Sequence, residues 1–184
     1  MPWQPAYNAF GAEPLIRQML ALVYRDIQAA LDFVSGAPGS LPPFTVYQLA
    51  ESVTPNFPAI LMVPQSQTFD PSQANVAHET VRIFCAVAAA HQDPNAVAVL
   101  VQRYAMAVWH VLTAAFEKTS GDFLLPGLAL PASAYGSGAM TSGLPGGALK
   151  RLFVAQPEYA ELRQAKSMFV KAAGLAIEAD LFEA

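Results

Sequence analysis

Between residues 76 and 116 the rhythm of polar and apolar positions changes once. Val81, Ile83, Cys85 and Val87 alternate with Arg82, Phe84 and Ala86, and a period of two marks a strand with one buried face. His91, Gln92, Asp93 and Pro94 break that pattern. Asp93 can accept the free N–H groups of a first helical turn, and Pro94 suits an early helical position whose N–H has no partner to lose. Beyond it Val97, Leu100 or Val101, Tyr104, Val108, Leu112 and Phe116 recur at helical spacing and predict the longest helix. A strand followed by a helix that packs back on the same sheet makes a compact nucleus.

The flanking pattern extends this into an α+β fold: a small, mostly antiparallel sheet with an N-terminal helix and one long helix packed on it. Glu13 and Pro14 open the first helix, Ile16, Leu20, Val23, Ile27, Leu31 and Val34 form its apolar stripe, and Arg17, Arg25 and Gln28 mark its wet side. Gly36 ends it. Residues 44–49 read as a short strand, and residues 59–63, between Pro58 and Pro64, as a second one. Residues 65–75 read as a polar hairpin loop, so three strands precede the long helix as a meander. Residues 149–155 predict a strand and residues 158–165 a turn or short helical piece. Leu175, Ile177, Ala179 and Leu181 then alternate with Ala176, Glu178, Asp180 and Phe182 in a closing strand, with Gly174 as a bulge or bend. The reading is a single domain, 1–184, with an N-terminal arm, 1–12, and a long loop at 119–148.

Those two outlying segments carry the candidate subunit-interface residues. Trp3 and Tyr7 lie in an arm that Pro2 and Pro5 keep from being helical, and want burial on the arm's own domain or on a neighbour. Residues 119–148 are rich in Gly and Pro with Asp122 as their one charge, yet they hold Phe123, Leu125, Leu128, Tyr135, Met140 and Leu144. Disordered linkers are polar and charged, and a loop of this length is uncommon in a compact domain. The expected form is a protruding hairpin that docks on a neighbouring subunit.

Composition sharpens that expectation. The chain is 54% hydrophobic and only 13% charged, against about 25% charged in ordinary soluble domains. Cover by other subunits explains the shortage, and an alanine-rich composition explains it equally. The net charge is −4 and the largest basic run is Lys150-Arg151, so sequence-specific nucleic-acid binding is not expected. The single cysteine, Cys85, excludes an internal disulfide and reads as a small core residue. No basic leader opens the chain and no apolar run approaches the roughly 18 residues of a membrane span, so a soluble, intracellularly made protein is expected. His78, His91 and His110 lack metal-ligand spacing. Gly136-Ser137-Gly138 lacks the flanking glycines of a nucleophile elbow, and Gly146-Gly147-Ala148-Leu149-Lys150-Arg151 lacks the phosphate-loop pattern. Asp70 and Glu79 are expected at the surface. The expectation is a non-enzymatic chain with no cofactor and no metal.

The order of elements resembles the tail-terminator and tail-completion (neck) proteins of long-tailed bacteriophages. The residues that carry the likeness are 56–63, 78–87, the helix 94–116 and the closing strand 174–182. The resemblance implies a sheet with helices packed on it, a hexameric ring that caps the tail tube, and a surface that joins the head. It implies a virion location in the tail or neck after synthesis in the host cytoplasm. The partners it implies are further copies, the tail tube protein and head–tail connector proteins, with DNA passing through the ring lumen and no membrane. No catalytic residues carry over. The segment 119–148 departs from the family pattern and leaves room for another neck connector. A small α/β ligand-binding or enzymatic domain, or a transient chaperone or adaptor, are the rival classes.

Overall fold

A strand at the centre of the sheet, β3 (His78–His91), and the helix that follows it, α2 (Pro94–Lys118), are built as their sequence pattern requires. This computed structural model describes residues 12–48, 56–70, 78–118, 129–130, 138–139 and 149–182. In β3 the side chains of Val81, Ile83, Cys85 and Val87 are fully buried, while Arg82 on the other face is exposed and Phe84 and Ala86 are half-buried. Asp93 caps α2 by accepting the Asn95 N–H at 2.8 Å with its carboxylate and the Val97 N–H at 3.1 Å with its carbonyl. The first helix, α1 (Ala12–Ser35), buries Ile16, Leu20, Val23, Ile27 and Leu31. It ends at Gly36, whose φ of 67° is one that a residue with a Cβ adopts reluctantly.

The remaining strands are β1 (Val46–Gln48), β2 (Ala59–Asp70), β4 (Ala129–Leu130), β5 (Gly138–Ala139), β6 (Leu149–Val154), β7 (Glu158–Tyr159), β8 (Arg163–Ala165) and β9 (Met168–Phe182). The main sheet has the order β1-β2-β3-β9-β6, with β7 and β8 continuing along the side of β9 that β6 occupies. The chain therefore leaves β3, crosses in α2, returns as β6, and drops β9 between the two. The α+β class holds, and all pairings of the main sheet are antiparallel except the first.

That exception corrects the expected meander: β1 runs parallel to β2, with Val46 opposite Ala59. Alternation tells which face a strand buries and is silent on the direction of its neighbour. The second strand is also longer than expected. It passes through Pro64 and takes in most of the presumed loop, shifting register between Pro64 and Ser66. β1 covers only Ala59 to Leu61, which leaves β2 an edge strand from Met62 onward, the kind of strand in which proline is tolerated. The presumed turn or helical piece at 158–165 is instead the pair β7 and β8, both bonded to β9.

One face of the sheet carries the core. Val81, Ile83, Cys85 and Val87 lie with Leu175, Ile177, Ala179 and Leu181 beneath α2, and α1 packs chiefly on α2. Between Pro94 and Ala114, α2 is long and apolar enough to cross a membrane, with a mean hydropathy of 1.3. The expectation of no such stretch is corrected here, because Gln102 and Arg103 interrupt the apolar run without lowering its average enough. In this fold the helix lies against β3, β6 and β9. The pair β4–β5 forms a separate two-stranded ladder, with Ala129 opposite Ala139, and the backbone of β4 lies beside α1.

Candidate functional site

The second face of the sheet has no described element packed on it, and its residues come from positions that alternate with the core. Register sets Arg82 opposite Glu178, Thr80 opposite Asp180 and Phe84 opposite Ala176 across β3 and β9. On the other side of β9, Phe153 faces Glu178 and Arg151 faces Asp180. The charged end of this face is a closed network. Arg82 Nε donates to Glu178 Oε2 at 2.9 Å, and Arg151 Nη2 donates to Glu178 Oε1 at 2.8 Å. Arg151 Nε lies 3.3 Å from Asp180 Oδ2, Thr80 Oγ1 donates to Asp180 Oδ1 at 2.9 Å, and His78 Nε2 is 3.6 Å from the same oxygen. Two guanidinium groups thus meet two carboxylates, and the patch is neutral in itself.

Next to the network the face turns apolar, with Leu61, Val63, Phe84, Ala86 and Gly174 half-buried. Phe153 stands above it, 59% exposed. Gln65, Arg82, Phe153, Ala176 and Glu178 line a shallow cavity of about 140 Å³. Pairs as exposed as these contribute little to folding, at most about 1 kcal/mol each. A neutral, partly apolar face instead suits cover by another protein surface, since its charges are already partnered when water leaves.

A second feature lies where α2 meets the sheet edge. Met106, Trp109, Gln156, Pro157 and Tyr159 line a groove of about 220 Å³. The Trp109 ring is fixed by its Nε1 donating to the Val154 carbonyl at 3.1 Å. It meets His110 edge-on at 5.1 Å, and His110 meets Phe33 edge-on at 5.4 Å. Phe33 is 74% exposed and Tyr159 is 43% exposed. An aromatic band therefore runs from the end of α1 across α2 to β7.

Cys85, His91 and Glu79 lie apart from these two features. Burial pushes the Cys85 thiol well above its ordinary range, as befits a core side chain. His91 accepts the Asp93 N–H through Nδ1 at 3.0 Å, inside the turn that starts α2. Among the described residues no group of His, Cys, Asp and Glu is placed to hold a metal ion. Glu79 corrects the expectation of a surface acid: it is 3% exposed, and Gln67 Nε2 donates to its carboxylate. It shares the buried parity of Val81, which places it at the end of the core.

The eight interface residues expected from sequence, Trp3, Tyr7, Phe123, Leu125, Leu128, Tyr135, Met140 and Leu144, all lie outside the described residues. The open-face network was half visible beforehand, because Arg82, Glu178 and Asp180 sit on the wet parity of their strands; their meeting required the register. Trp109 and Phe33 were missed because each is one position off an apolar stripe, beside Val108 and Val34, and periodicity alone assigns them to the wet side.

No protein-family model matches this sequence, and no curated protein matches it. Among solved structures, a chain from a structure titled "Virion of native gene transfer agent (GTA) particle" aligns over 97% of this chain and 100% of its own, with a TM-score of 0.39 and 15% identity. A likeness of that degree carries no argument about function.

Proposed function

We propose that this chain is a ring-forming structural subunit of a bacteriophage neck, a tail terminator that caps the tail tube and offers the head its joining surface. The observation that carries the reading is the sheet face on which no described element packs, apolar over much of its area and internally neutralised by Arg82, Arg151, Glu178 and Asp180. A chain with only 13% charged residues that also leaves such a face open is suited to assembly with other protein surfaces. The neck assignment is supported by the order of elements: an N-terminal helix, β2 through 59–63, the alternating β3, the long α2 and a closing strand with acids at its end. In this reading the function is assembly itself. Copies pair around a hexameric ring, residues 119–148 and the N-terminal arm contribute subunit contacts, the tail tube protein meets one face and a head–tail connector the other, and DNA passes through the lumen without base-specific contact.

Mass photometry of the purified chain tests the reading. A species near six times 19.6 kDa, ring-shaped by negative-stain microscopy, is the expected result. A monomer or dimer that remains so at high concentration and in the presence of tail tubes overturns it.

A further inference from the structure

We propose that the groove between α2 and β7 receives the N-terminal arm, residues 1–11, of a second copy of this chain. The inference rests on the self-assembly in the proposed function and names a contact that would hold copies together. The groove is an aromatic slot: Trp109 is held by its bond to the Val154 carbonyl, and Tyr159, Met106 and Pro157 share its lining. Among the described residues no charged side chain lines it. Slots of this kind take extended proline-containing segments, whose conformation costs little entropy to fix and whose rings lie flat on aromatic walls.

The arm has the matching chemistry. Residues 1–11 carry no charged side chain, and they hold Pro2, Trp3, Pro5 and Tyr7. In an extended chain side chains alternate, so Trp3, Pro5 and Tyr7 fall on one side. An uncharged slot and an uncharged arm meet without a desolvated charge on either side. The Trp109 N–H is already committed to Val154, so the slot offers the arm ring and apolar contacts.

Chain length favours a second copy over the arm's own groove. The aromatic band that ends in the groove begins at Phe33, which lies about 31 Å along α1 from Ala12 at 1.5 Å per residue. Tyr7 precedes Ala12 by five residues, a reach of at most about 18 Å, and Trp3 by nine, a reach of at most about 32 Å, so only the tip of the arm would come that far. An arm folding back would have to run along its own helix and would spend most of its length doing so. An arm arriving from a neighbour has no such constraint.

Disulfide trapping in the full chain tests this. Ala6→Cys and Gln156→Cys are made in separate chains, each keeping Cys85, which is buried and slow to compete. The two are mixed under mild oxidation, and a third chain carries both substitutions. The expected result is a mixed disulfide between the two single variants that is at least tenfold reduced when Tyr159→Ala is added to the Gln156→Cys chain. Tyr159 is half-exposed on a strand edge, so its loss leaves the fold intact; Trp109→Phe, which removes the bond to Val154 but keeps a ring, serves as the second variant. A disulfide formed only within the doubly substituted chain overturns the proposal in favour of self-docking. No disulfide in any mixture overturns it, and so does a mixed disulfide indifferent to both ring substitutions. The mass measurement separates the two readings. A sixfold ring with no mixed disulfide overturns the groove and leaves the ring standing, and a mixed disulfide confined to dimers supports the groove against the ring.

Discussion

The effect of Gly174→Ala should depend on the residue at position 84. A methyl group on Gly174 would sit 2.6 Å from Cε2 and 2.7 Å from Cζ of Phe84, where carbon atoms prefer about 3.5–4.0 Å. Phe84 pairs with Ala176, and Gly174 with Ala86, so the ring lies diagonally over the glycine on the open face. Glycine here gives a close approach between neighbouring strands, which replaces the expected bulge: β9 pairs with β3 without a shift from His78 to His91. Adding the methyl group narrows the unfolded ensemble and contributes about 0.4–1 kcal/mol. Against that, the ring must move about an ångström off its rotamer, at a cost of about 0.5–1.5 kcal/mol. In the native background the two nearly cancel, leaving between a gain of about 0.5 and a loss of about 1 kcal/mol. In a Phe84→Ala background only the gain remains. A double-mutant cycle by thermal unfolding, at one fixed protein concentration because association shifts apparent stability, should give a coupling of about 0.5–1.5 kcal/mol, read at about 2–4 °C per kcal/mol. The same effect of Gly174→Ala in both backgrounds would refute the ring-over-glycine argument.

Ile83→Asp should abolish soluble expression by burying an unpaired carboxylate, whereas Phe84→Asp on the open face should remain soluble and folded; the reverse outcome in a solubility and circular-dichroism comparison would reverse the face assignment. The Tyr104 hydroxyl donates to the Pro42 carbonyl at 2.7 Å, and burial raises it from its ordinary value of 10 to about 12. The folded chain therefore holds this proton more tightly than the unfolded one, so its stabilisation is complete below pH 10 and is lost as pH rises toward 12. Urea midpoints should fall from pH 9 to pH 11, and Tyr104→Phe should cost about 1 kcal/mol at neutral pH while flattening that fall; an unchanged alkaline slope would contradict the assignment. Glu178→Ala removes the acceptor shared by Arg82 and Arg151, so it should cost less than about 1 kcal/mol of subunit stability yet shift the mass distribution toward smaller assemblies. An unchanged mass distribution would detach the network from assembly.

Local periodicity was enough to place α1, α2, β3 and β9 and to separate the two sides of each. The cap at Asp93 and the stop at Gly36 were equally legible. These features depend on residues a few positions apart, and four of the core-facing residues of β3 follow from nothing more than alternation. Partner, direction and register were decided elsewhere. The parallel docking of β1, the passage of β2 through Pro64, the placement of β9 between β3 and β6, and the recruitment of β7 and β8 all depend on hydrogen bonds between distant segments. Arg82 and Glu178, for example, meet across 96 positions. Glu79 reads as a surface acid until the pairing of β2 with β3 brings Gln67 to it. Gly174 reads as a bend until Phe84 is seen above it. The open-face network and the Trp109 groove exist only once separate elements converge, because a period tells which side of a segment faces water and carries no information about what waits on that side.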